Sequence, residues 1–153
     1  MTILVAFAVV TAVAVAALAL LAARARSRPP APPAPGTLAP CPASPNCVTS
    51  LAAAASRHAV EPMRFQGEPE IAWERLRALL ISLPGAHPAG ERPGYLRVEF
   101  RSRLFGFVDD AEFLLDAPNR RIDVRSASRV GWSDLGANRR RIAALTRRFT
   151  RHP

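Results

Sequence analysis

The sequence contains no lysine. All 21 basic residues are arginine, set against 12 acidic residues, for a formal net charge of +9. An all-arginine basic set reads first as a GC-rich coding bias, so the charge alone is weak evidence of a polyanionic partner. The chain also lacks a G-x-S-x-G elbow, a P-loop and a G-x-G-x-x-G turn. A nucleophile elbow and a phosphate-cradling loop are therefore without support. Only two cysteines are present, and they do not form C-x-x-C. That spacing argues against a redox centre. His58, His87 and His152 show no ligand spacing, so no metal site and no cofactor is expected. The aromatics are few, and most fit core positions. Without an arginine–aromatic array, the sequence argues against nucleic acid as a partner. There is no internal repeat.

What the chain does have begins at its N-terminus. Ile3 to Ala23 is an apolar run of 21 residues without a charge. As a helix it would be about 31 Å long, matching a hydrocarbon core of about 30 Å. Residues 1–25 are read as a transmembrane anchor or uncleaved signal, with residues 3–23 as the membrane contact. The run is too long for a typical cleaved signal, and no Arg or Lys precedes it, although Ala23-Arg24-Ala25 fits an A-x-A site. Leu38 to Cys41 does not serve as a lipobox, because Pro40 precedes the cysteine and the apolar run ended earlier. Arg24, Arg26 and Arg28 follow the span, which by the positive-inside rule places the domain in the cytoplasm. The cysteine pair points the other way. Without those three arginines, 18 Arg against 12 acids leave +6.

Residues 26–40 form a proline-rich linker, expected to be an extended spacer that holds a domain off the bilayer. Pro29 to Pro40 could reach about 37 Å at about 3.1 Å per residue. Residues 41–153 then read as one small domain. "HAVEPMRF" suggests a short edge strand, since Pro62 removes a ladder donor. Glu68 to Leu83 carries Ile71, Trp73, Leu76, Leu79 and Leu80 at helical spacing, and Pro84-Gly85 ends it. A loop runs to Gly94. "YLRVEFRS", "FVDDAEFLLD" and "RIDVRS" alternate as strands. Their parity sends Phe107, Asp109, Ala111, Phe113 and Leu115 inward, and Asp110 and Glu112 outward. A last helix starts at Ser133 or Asn138, with Leu135, Asn138, Ile142, Leu145 and Phe149 on one face. The order strand-helix-strand-strand-strand-helix predicts an α+β domain. Its helices would pack on one face of a mainly antiparallel sheet.

"CPASPNCV", "HAVEPMRF", "FVDDAEF" and "VRSASRVGWSDLGANRRR" occur in this order. On these four motifs the chain resembles the family catalogued as domain of unknown function 1499, from about Cys41 to Phe149. Ala43 and Trp132 depart from the acidic residue and the tyrosine common there. The resemblance implies a small, often exported or membrane-anchored protein. It brings no catalytic assignment.

Three constellations remain. Cys41 and Cys47, with Pro42, Pro45 and Asn46 between them, favour a disulfide over two free thiols, consistent with export. Asp110 and Glu112 share a strand face and would pair with arginines on adjacent strands. Asp109, if inward, needs a hydrogen-bonding or charged partner. The segment Asp123 to Arg141 supplies Arg125, Ser126, Ser128, Arg129, Asp134, Asn138, Arg139, Arg140 and Arg141. Guanidinium groups, serines and a helix N-terminus are anion-directed donors. The simpler reading pairs Arg125 or Arg129 with Asp109 or Asp134 to brace the corner. Two function classes follow. One is a non-enzymatic, membrane-tethered domain of the cell envelope, on the periplasmic or exported side, binding a protein partner or an anionic lipid or metabolite. The other is an enzyme or small anionic-ligand binder using this Asp/Arg/Ser corner.

Overall fold

The computed structural model describes residues 2–27 and 29–151. Arg28 and His152, weighed above, lie outside the described residues. Helix α1 spans Thr2–Arg26. The domain follows as β1 (Cys47–Thr49), β2 (Met63–Arg64), α2 (Pro69–Ile81), β3 (Ala86–Arg92), β4 (Tyr95–Arg101), β5 (Val108–Asp116), β6 (Arg121–Ser128) and α3 (Ala137–Arg151). All pairings between these strands are antiparallel, in the order β1-β6-β5-β4-β3, and β2 also pairs with β6. The fold is α+β, as the alternation predicts.

Two strands are additional to the sequence expectation. β1 has only three residues and pairs with Arg125 to Ala127. β3 replaces the expected loop before Gly94. Its sequence, "AHPAGER", contains Pro88 and Gly90 and no apolar alternation, so its periodicity is silent. It is an edge strand, and its register shifts between Pro88 and Gly90. Edges tolerate a missing donor and a bulge. Gly85 makes the preceding turn possible with φ +76, while its carbonyl accepts from the Arg101 N–H at 3.0 Å.

Helices α2 and α3 cover one sheet face. Leu96 and Val98 of β4, Ala111 and Phe113 of β5, and Ile122 and Val124 of β6 meet Ala72, Leu76 and Leu80 of α2 and Ile142, Leu145 and Phe149 of α3. Met63 and Phe65 close one side. Ile71, assigned above to the apolar face, is instead exposed, and Ala72 takes the inward position. Pro69 opens α2, where a missing N–H costs nothing. Ser82 closes it, its hydroxyl donating to the Leu79 carbonyl at 2.7 Å.

Neither expected start of α3 holds. Asp134 caps the helix: its carboxylate accepts from the Gly136 N–H at 3.0 Å and the Asn138 N–H at 2.7 Å. Leu135 does not join the apolar face. It lies before the helix with φ +52 and points into solvent.

The opposite sheet face also differs from expectation. Its charged residues are not a solvated surface: Asp110, Glu112, Asp123 and Arg125 are all buried. The proline-rich segment is extended but does not stand clear of the domain. Arg97 Nη1 donates to the Pro30 carbonyl at 2.8 Å, and Arg92 Nη1 to the Pro33 carbonyl at 3.1 Å. Leu38 is buried. Arginines on β3 and β4 thus fasten the linker carbonyls, which have no ladder partner of their own. Cys41 and Cys47 are joined, with a Cα–Cα distance of 5.7 Å. On the chain-entropy estimate so short a loop contributes about 2 kcal/mol.

The Asp134 cap is testable. Burial pushes its carboxyl up, but the N–H groups of Asn138 and Gly136 outweigh this and hold it below the ordinary aspartate value of 3.8. A lowered folded value gives stability that is present above 3.8 and lost as pH falls through the folded value. Asp134→Ala should lower unfolding stability by about 1 kcal/mol at neutral pH. The gap between parent and variant should close in acid. Denaturant midpoints at both pH values measure this, and a gap that persists in acid would contradict the cap.

Candidate functional site

Asp109 and Asp110 are neighbours in β5, so their side chains leave opposite faces of the sheet. Each meets arginine. On the helix face, Asp109 lies opposite Phe100 of β4 and Ser128 of β6. Arg141 reaches down from the first turns of α3 and donates to Asp109 at 2.5 Å. Its guanidinium lies 4.7 Å from the Phe100 ring centroid. It also donates to Asn138 Oδ1 at 2.6 Å and to Ser126 Oγ at 3.2 Å. Asn138 is wholly buried. Its carbonyl oxygen also accepts from Ser126 Oγ at 2.6 Å. Its amide donates to the Asn46 carbonyl at 3.0 Å and to Ser128 Oγ at 3.1 Å. A buried amide satisfied at both ends fixes one side-chain orientation.

The sequence marks Asn46 only as part of the bend between the cysteines, yet it ties this corner to the disulfide loop. Its amide donates to the Gly131 carbonyl at 2.6 Å, and its own side-chain oxygen accepts from Ser44 at 2.7 Å. Three of the four quoted motifs therefore meet here. The signal available was Asn46 inside a proline-bent cysteine loop.

On the reverse face, Arg129 donates to Asp110 at 2.6 and 2.8 Å and to Glu99 of β4 at 2.6 Å. Its side chain is 4% exposed and that of Asp110 is 3% exposed, so this pair is buried, and Glu99, at 15%, completes an ion triad at its edge. The hydrogen bonds that Arg129 donates to Asp110 push its value up against the cost of burial. Burial pushes Glu99 up, but Arg129 and Arg101 outweigh it and hold the carboxyl below its usual range. Arg129 also donates to the Ala25 carbonyl at the end of α1, at 3.2 Å. Beside the triad, Glu112 accepts from Tyr95 Oη at 2.8 Å and from Arg125 at 3.0 Å. Burial, then the bond to Glu112, pushes the Tyr95 hydroxyl up and keeps it protonated.

The predicted partners are thus redistributed. Neither Arg125 nor Arg129 meets Asp109 or Asp134. Strand parity turns Arg125 away from Ser126, so of the candidate arginines it is Arg141 that meets Ser126 and Asn138, while Arg125 and Arg129 lie on the reverse face. Arg139 is exposed and donates to the Arg57 and Ala59 carbonyls at 2.6 and 2.7 Å. Tyr95 and Glu99 were legible only as outward residues of an alternating strand. Their roles need the β4–β5 register, which sets Glu99 opposite Asp110. An open groove borders the helix-face corner, lined by Asp109, Ser128, Ser133 and Asp134 together with Leu18 and Leu21 of α1. Asp109 and Asp134 reach it already engaged, by Arg141 and by the α3 N–H groups.

Arg129→Gln should destabilise the domain by about 3–5 kcal/mol, because it leaves two carboxylates without their shared cation. Arg139→Gln should change stability by no more than about 0.5 kcal/mol. Thermal unfolding of the two variants compares them, and equal losses would refute the distinction.

Comparison with known proteins gives one result. The model of a family described as "Protein of unknown function (DUF1499)" matches residues 37–149. No curated protein and no solved structure matches this chain. The matched segment covers more than half of the sequence and contains every element from β1 onward except the last residues of α3. The chain belongs to the DUF1499 family.

Proposed function

We propose that this protein is a single-span membrane protein whose folded domain lies on the exported side, in the cell envelope, and works by binding rather than by catalysis. The observation that carries this reading is that Asp109, although it lines an open groove, is engaged by Arg141. A general acid or base must reach a substrate proton, and Asp109 is neutralised by Arg141, which Asn138 and Ser126 hold in turn. The serines nearby are committed to the same network, with no histidine within it. The acids of the reverse face are paired as well, Asp110 and Glu99 with Arg129, Glu112 with Arg125 and Asp123 with Arg121. These groups brace the sheet.

The tether has separate support. α1 is long and apolar enough to cross a membrane. Export is supported by the Cys41–Cys47 bond, since such bonds persist in oxidising compartments. Arg24 and Arg26 weigh the other way by the positive-inside rule, and the disulfide is the more specific sign because it needs an oxidising compartment.

A C-terminal alkaline phosphatase fusion tests the side. Activity is expected, together with thiols that resist alkylation until a reductant is added. An expressed but inactive fusion with two alkylatable thiols would reverse the assignment.

A further inference from the structure

Three exposed apolar residues and one end of α1 gather at the same edge of the fold. The turn between β4 and β5 carries Leu104, which is 83% exposed. The loop between β6 and α3 carries Trp132 at 71% and Leu135 at 85%. These loops are adjacent, because the Arg129 N–H donates to the Val108 carbonyl and Asp109 pairs with Ser128. Single exposed apolar residues need no explanation. Three large ones on neighbouring loop tips do.

The last turns of α1 lie against these same loops. Leu18, Leu21, Ala22 and Ala25 share one helix face by their spacing. Ala22 and Ala25 are fully buried, and Leu18 and Leu21 line a groove with Phe107, Val130 and Leu135. Arg26 donates to the Phe105 and Gly106 carbonyls, and Arg129 to the Ala25 carbonyl. These bonds fix the depth of the domain. Leu18 lies six residues before Arg24, about 9 Å along the helix axis. The headgroup layer is only about 5–8 Å thick on each side. With Arg24 at headgroup level, the groove shared with Leu18 descends to the acyl chains, and the loops beside it cannot stay in bulk water.

We infer that the β4–β5 turn and the β6–α3 loop form a lipid-docking edge, with Leu104, Trp132 and Leu135 entering the bilayer surface that α1 crosses. This rests on the tethered reading above and goes beyond it. Tryptophan favours the interface, where its ring is half apolar and half polar. Arg24 and Arg103 are exposed beside the apolar tips and suit anionic headgroups. The acids of this edge, Asp109 and Asp134, are already neutralised or capping, so they add little repulsion. Leu135 adds a separate sign. It holds φ +52, a backbone region that favours glycine or asparagine, and it spends that strain on an outward side chain.

The full chain, carrying Trp73→Phe so that Trp132 is the remaining tryptophan, is reconstituted into vesicles of phosphatidylcholine and phosphatidylglycerol. Part of the lipid is brominated high in the acyl chain. Alkaline extraction of the same vesicles reports whether α1 is embedded. Trp132 emission should fall at least twofold, and Leu104→Ser with Leu135→Ser should remove most of that quenching. A Trp132→Phe protein, keeping core-packed Trp73, should be quenched little. Chain that resists extraction but shows unquenched Trp132, or equal quenching of Trp73 and Trp132, overturns the docking edge and leaves the tether standing. Chain released by alkali overturns the tether, and the docking edge with it.

Discussion

Two consecutive carboxylates in β5 set the terms for the rest of the domain. Asp109 and Asp110 leave opposite faces of one strand, so charge has to be neutralised in two directions about a single backbone. Both counterions come from the segment after β6. Arg129, at the strand end, turns to the reverse face and meets Asp110 and Glu99. Arg141, a little over a helical turn into α3, returns across the helix face to Asp109. The polar stretch between them is the length of chain needed to pass from one side of the sheet to the other. Its caps and amide bonds hold the two arginines at their angles. Buried pairs of this kind add little net stability against apolar replacements, but breaking one is costly. The arrangement therefore serves to specify position more than to add stability.

The same constraint explains the linker. The sheet face carrying Glu99, Asp110, Glu112, Asp123, Arg125 and Arg129 is polar, and the chain laid on it offers carbonyl acceptors. Part of that cover is a segment with few N–H donors. Proline-rich chain meets that need, because each carbonyl is available and few amides are left stranded. Arg92 and Arg97 take two of those carbonyls, and Arg129 takes one from the end of α1. Helix α1, the linker and the ion triad are thereby one connected structure, and the domain is held close to the end of α1.

Much of this architecture was legible from particular residues. Alternation in "YLRVEFRS", "FVDDAEFLLD" and "RIDVRS" gave three strands and the correct face for Asp109, and helical spacing gave α2 and most of α3. The strands β1 and β3 were not legible. One is too short to show a period, and the other contains Pro88 and Gly90 and owes its form to pairing with β4. Leu135 was misread because spacing alone cannot see a backbone with positive φ. The polar corner shows a related limit: composition places Arg125 and Ser126 together, strand parity separates them, and Arg141 of α3 is the arginine that meets Ser126.

The amino-acid sequence by itself determined the apolar N-terminal helix, the α+β class, the cysteine loop and the need to satisfy an inward aspartate. Each is a local matter of period, length or burial cost. Tertiary structure alone decided which arginine meets which acid, that the reverse face is buried, and that Asn46 joins the corner. Those outcomes depend on register and on chain returning from far along the sequence. An arginine side chain long enough to reach several carboxylates carries no local mark of the one it will choose.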